Sequence, residues 1–231
     1  METLEAELAR ARDLDPTALA DAIESIGFEC TRCGACCTGH GDEEHVATVF
    51  PDEVRELTDA DDGEASPTGD QHREWRDVAR PMPFGLHEGD AGLEGETFEW
   101  SLATDGCGDC TFYEETGGQG ACTVHEDRPL ICQTYPFSVA LAGTSQPMGE
   151  AVDEAGMVRA HECEGLGRDI DREDAEELAR TLKERAIREL EEAIAVRDNY
   201  EPVDVGPGAV VVHDSEGAKW PDGTPVDRGS Q

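Results

Sequence analysis

Four thiols fall within eight residues at Cys30, Cys33, Cys36 and Cys37, and five more follow at Cys107, Cys110, Cys122, Cys132 and Cys163. Thiols this dense either cross-link or gather around a soft metal. A C-x2-C spacing lets a tight turn bring two sulfurs to one side, and it occurs from Cys30 to Cys33, Cys33 to Cys36 and Cys107 to Cys110. The C-x2-C-x2-C run can also wrap one corner of an iron-sulfur cubane whose fourth thiolate comes from far along the chain. Neighbouring side chains diverge on most backbones, so one of Cys36 and Cys37 is expected to serve a second site or stay spare. Nine sulfurs are enough for two four-coordinate centres or for one polynuclear centre. The spacing points to metal and leaves its identity open.

Compartment decides between bridging and ligation. In residues 1 to 27 acidic side chains interrupt every apolar stretch, so the expectation is no signal-peptide core and a cytoplasmic protein. Thiols there are reduced, and nine is an odd number for a disulfide framework, which favours metal. No stretch approaches the roughly twenty apolar residues that cross a bilayer. The balance of 54 Asp plus Glu against 18 Lys plus Arg gives a net charge of −36. It resembles that of proteins from extreme halophiles, in which acidity is an adaptation to concentrated salt. The charge argues against nucleic acid as a partner, because phosphate binding needs a Lys/Arg footprint that this chain does not have.

Several elements must position the thiols. Asp15-Pro16 is a helix start, Leu19, Ala22, Ile23 and Ile26 recur at helical spacing, and Gly27 stops the helix just before the first cysteines. Gly34 and Gly39 let the backbone fold tightly around them. Residues 46 to 57 read as a short strand and a helix from Pro51, residues 58 to 72 as an acidic surface loop, residues 85 to 96 as a Gly-rich loop, and Thr97 to Leu102 as a strand. Residues 106 to 136 carry cysteines but few periodic apolar residues, the composition of a metal-stapled segment. From Asp171 to Asp198, Ala175, Leu178, Leu182, Ala186, Leu190 and Ile194 mark one face of a core-covering helix. After Gly206 a hairpin turns at Asp214-Ser215-Glu216-Gly217. The expected fold is α+β, a small irregular cysteine-rich, metal-stapled domain flanked by helices. Its parts are a helical segment at 1–27, the metal-binding domain with acidic loop insertions at 28–167, a helix at 168–198 and a tail at 199–231.

The run at 30 to 37, Cys107, the segment from Cys122 through His125, Arg128-Pro129 and Cys132 to Tyr135-Pro136-Phe137, and Cys163-Glu164-Gly165-Leu166-Gly167 together resemble the CxxCxxCC cysteine-cluster family. That family is described as zinc- or iron-chelating and is often labelled iron-sulfur oxidoreductase. It includes relatives described as flagellin lysine N-methylases. The resemblance covers roughly residues 28 to 167 and implies that Cys30, Cys33, Cys36, Cys37, Cys107, Cys122, Cys132 and Cys163 are metal ligands. Cys110 joins them as a candidate through its spacing to Cys107. His125 stands where the family usually has tyrosine. Gln133 replaces an arginine that could hydrogen-bond a thiolate, leaving Arg128 as the cation beside the site.

Tyr135 and Phe137 are expected to pack over the site. His125 and His161 are expected beside the ligands and not among them, and His40 and His45 in a nearby loop. The leading expectation is an iron-sulfur centre with a redox or sensing role and an unspecified electron or protein partner. A non-catalytic zinc protein is second. Lysine N-methyl transfer is third, since the one Gly-rich stretch, Gly117-Gly118-Gln119-Gly120, reads as a turn and not as a nucleotide loop. No catalytic constellation is evident.

Overall fold

The computed structural model describes residues 3–39, 45–60, 73–90, 92–141, 149–152, 156–204 and 206–227. Its helices are α1 (Leu4–Asp13), α2 (Pro16–Ile26), α3 (Pro51–Asp59), α4 (Trp75–Val78), α5 (Leu130–Thr134) and α6 (Arg172–Asn199), accompanied by short strands in several small sheets. The class is mixed α+β, as expected. No described helix is long and apolar enough to cross a membrane.

The chain divides into two compact units, each drawn from separate stretches. The first comprises Met1–Cys36, Glu115–Ala121 and Pro129–Ile194. Thr3 caps α1 by accepting the Ala6 N–H, and Asp15 caps α2 by accepting the Thr17 N–H at 2.9 Å. Gly27 ends α2 at φ 74° while its N–H donates to Ile23 O, the left-handed stop that glycine makes at least cost. The buried stripe of α6, Ala175, Ala179, Leu182, Ala186 and Leu190, packs into one core with Leu8, Leu19, Ile23, Phe137, Val139 and Val158. Alanines at the helix contacts let backbones approach closely. A three-stranded sheet, with Val158–Ala160 between Phe137–Val139 and Glu150–Ala151, supplies the β side of that core.

The second unit comprises Cys37–Glu114, Cys122–Arg128 and Ala195–Gln231. Its three-stranded sheet places Trp100–Leu102 between Thr48–Val49 and Ala79–Pro81. A four-stranded sheet runs in the order Gly217–Lys219, Val210–Asp214, Gly92–Thr97, Leu86–Gly89. Buried Asp214 accepts from Trp100 Nε1 and pairs with Lys219 Nζ, each at 2.8 Å.

Helices at 15–26, from Pro51 and at 171–198, and the hairpin at 214–217, fall where the sequence placed them. One reading is overturned: residues 85 to 96 are not a loop but the hairpin Leu86–Gly89 with Gly92–Thr97. Its second strand pairs in parallel with Val210–Val212. That distant partner supplies the hydrogen bonds, while Gly92 and Gly95 adopt positive φ inside the strand, so no local alternation of side chains could reveal it. The strand expected over 97–102 is two pieces, since Thr97 ends one and Trp100 begins the next. Of the acidic loop at 58–72, residues 58 and 59 end α3; residues 61–72, like His40, lie outside the described residues.

Candidate metal centre

The units share out the cysteines: Cys30, Cys33, Cys36, Cys132 and Cys163 belong to the first, and Cys37, Cys107, Cys110 and Cys122 to the second.

In the first unit, the chain leaving α2 runs antiparallel to residues 165–167. The Glu29 N–H donates to Gly165 O at 3.1 Å, the Gly167 N–H donates to Gly27 O at 3.0 Å, and Phe28 bridges Leu166. Phe28 anchors this lacing in the core, its ring edge-on to Phe137 at 5.7 Å. A side chain at Gly165 would overlap the Glu29 carbonyl oxygen. Glycine there is therefore what lets the Cys163 segment lie against the segment leading into Cys30. Within the run the backbone coils tightly: Arg32 has φ 55° and Gly34 φ 80°, and Arg32 O is pinned by the Gly120 N–H at 2.8 Å. A non-glycine residue in the left-handed region costs roughly 1–2 kcal/mol, the kind of strain that collects at functional sites.

Electrostatics tie the remote thiol to the run. Burial pushes the Cys163 thiol up, the Gly165 N–H donated to its Sγ at 3.4 Å pulls it back, and the charges of Cys33, Cys36 and Cys30 push it up again. Tyr135 feels the same group: its phenol is pushed up to about 12, first by burial and then by Cys163, Cys36 and Cys33. It donates to Glu162 O at 2.9 Å and packs edge-on to His161 at 6.1 Å. Phe137 is buried in the hydrophobic core. Cys132 is half-buried in the middle of α5, its N–H donating to Pro129 O at 2.9 Å.

In the second unit Cys107 and Cys110 flank a knuckle organised by Asp105. The Asp105 carboxylate accepts from the N–H groups of Cys107 at 2.7 Å and Asp109 at 3.1 Å, and Gly108 turns at φ 86°. The Cys110 N–H donates to Cys37 O at 2.8 Å, the Gly39 N–H to Asp109 Oδ1 at 2.9 Å, and the buried His45's N–H to Gly108 O at 2.8 Å. Cys122 ends the strand Gln119–Cys122, and the next N–H, of Thr123, reaches Phe112 O at 2.9 Å. His125 is exposed beside Glu126, and Arg128 Nε donates to His125 O at 3.0 Å.

Among the described residues no three Cys, His, Asp or Glu side chains are gathered closely enough to hold one ion. The donor chemistry nevertheless fits a thiolate metal. The Thr31 hydroxyl, between Cys30 and Cys33, is a buried polar atom with no hydrogen-bond partner, and an anionic sulfur beside it would be its natural acceptor. Sequence reasoning passed over Thr31 and Asp105; the Asp-x-x-x-Asp pattern framing the Cys107–Cys110 knuckle was the available signal for the second.

These features define a small mixed α+β, cysteine-rich domain. The family model CxxCxxCC, described as "Putative zinc- or iron-chelating domain", matches residues 29–164. That is more than half of the 231 residues, and the chain belongs to this family. No curated protein and no solved structure matches it.

Proposed function

We propose that the first unit holds an iron-sulfur centre on thiolates drawn from Cys30, Cys33, Cys36, Cys132 and Cys163, serving electron transfer or redox sensing. The observation that supports this reading is the lacing of residues 27–29 to 165–167, which lays the chain after Cys163 beside the chain that leads into the C-x2-C-x2-C run. Three closely spaced thiolates plus one distant in sequence is the ligand pattern of a cubane cluster. When bound, such a centre supplies one-electron chemistry. The chain's own residues do the rest. The Gly165 N–H stabilises negative sulfur at Cys163, and the unpartnered Thr31 hydroxyl is available to do the same for a thiolate of the run. Cys30, Cys33 and Cys36 are exposed, which leaves the outer side accessible to an electron partner. The net charge of −36 argues against nucleic acid as that partner. The Gly117-Gly118 stretch is the turn of the hairpin Tyr113–Thr116 with Gln119–Cys122, so lysine N-methyl transfer gains no support from it.

Protein prepared without oxygen should be brown, with broad sulfur-to-iron absorption that bleaches on reduction. Cys33→Ser and Cys132→Ser should each remove the colour. Colourless wild-type protein containing zinc, a filled-shell ion without redox chemistry, would replace this reading with a structural zinc site.

A further inference from the structure

We propose that the second unit docks a basic segment of a partner protein at an exposed aromatic patch, where Phe98 and Tyr200 receive an arginine side chain beside the Glu96 carboxylate. The inference is independent of the metal reading above.

Aromatic residues make up only 5% of the chain, yet two of them touch one another on the surface of this unit. Phe98 is 46% exposed and Tyr200 39%, and their ring centroids lie 5.4 Å apart. Phe84, 73% exposed, is joined to the same strand end: its carbonyl accepts at 2.9 Å from the hydroxyl of Thr97, the residue before Phe98. Scattered surface aromatics need no explanation, whereas adjoining ones are the material of binding surfaces.

The pair is also held in place. The Tyr200 hydroxyl donates to Glu96 Oε2 at 3.1 Å, and the Val203 N–H to Glu96 Oε1 at 3.3 Å. Against both rings lies His213, 2% exposed, stacked on Phe98 at 5.5 Å and edge-on to Tyr200 at 4.8 Å. Rings fixed in this way lose little freedom when a partner covers them. Charge decides what the partner presents. Glu96 is partly exposed, and the two groups that hydrogen-bond it are uncharged; the His213 Nε2, although 3.2 Å from Oε2, makes no hydrogen bond with it. A carboxylate beside two partly exposed rings suits a guanidinium, which pairs with the one and stacks on the others. A chain with a net charge of −36 favours a basic partner in the same sense.

The test is a nuclear magnetic resonance titration of the full chain with a peptide of alternating arginine and leucine, blocked at both ends. It is run in molar potassium chloride, where a Debye length of about 3 Å removes diffuse attraction to the acidic surface. The ring signals of Phe98, Tyr200 and His213 should shift together and saturate. The same peptide with citrulline, uncharged and of nearly the same shape, in place of arginine should bind about tenfold more weakly. Phe98→Ala and Tyr200→Ala should each weaken the arginine peptide by about tenfold as well. Absence of binding, shifts spread over the whole acidic surface, equal binding of the citrulline peptide, or full binding by both variants would each overturn the proposal. If a variant does not fold, the position of the shifts and the citrulline comparison in the unsubstituted chain decide. Self-association of the chain that Phe98→Ala abolishes would give the patch to a second copy and overturn the proposal equally.

Discussion

Gly165 decides whether Cys163 can reach the segment that carries Cys30. Any side chain there meets the Glu29 carbonyl oxygen, whereas one at Gly167 meets nothing within 4 Å. Gly165→Ala should therefore destabilise the protein by about 1–3 kcal/mol, the usual cost of overpacking, and should strip metal from the first unit. Gly167→Ala, strained only by its φ of 77°, should keep the metal. Thermal unfolding and metal content of both variants check this, and equal metal retention would contradict it. The Cys-Glu-Gly-Leu-Gly stretch was conspicuous in the sequence, and the structure supplies its reason as a backbone contact. The cysteines themselves were legible because C-x2-C spacing is local. Thr31 and Asp105 were not, since a hydroxyl beside thiols and an aspartate in a turn look ordinary until their hydrogen bonds are seen.

At the scale of elements, the terminal hairpin is fastened to α3 by charge. Glu216, in the turn between Val210–Asp214 and Gly217–Lys219, is held down to about 2 by hydrogen bonding from Arg55, against burial, with Lys219 adding to the effect. A carboxyl depressed below its ordinary 4.5 stabilises the fold fully above that value, and the contribution is lost as pH falls through about 2. Glu216 is partly exposed, so the contribution is screened to about 1 kcal/mol or less. Glu216→Gln should lower the melting temperature at neutral pH and flatten its fall between pH 4.5 and 2. An unchanged acid limb would show that the pair contributes nothing. Elements with their own caps and periodicity, α2 with Asp15 and Gly27 and α6 with its apolar stripe, were readable from local sequence. The hairpin at 86–97 was not, because its stability comes from a parallel partner more than a hundred residues away.

For the whole molecule, charge and metal set the conditions of folding. With a net charge of −36, the melting temperature should fall on dilution from molar to tenth-molar potassium chloride, as the Debye length grows from about 3 to 10 Å and like charges become mutually visible. A melting temperature independent of salt would mean that the acidity is balanced in another way. The division into units could not be read from the sequence at all. Each unit is assembled from three separate stretches, and such assembly depends on long-range contacts. That division nonetheless bears most on the chemistry, since it allots five thiols to one unit and four to the other. The central claim is that these thiols hold metal, with iron and sulfide in the first unit. Its most direct test is the iron, zinc and acid-labile sulfide content of protein purified without oxygen in high salt. The account predicts iron and sulfide in about equal amounts; protein folded without any metal would contradict it.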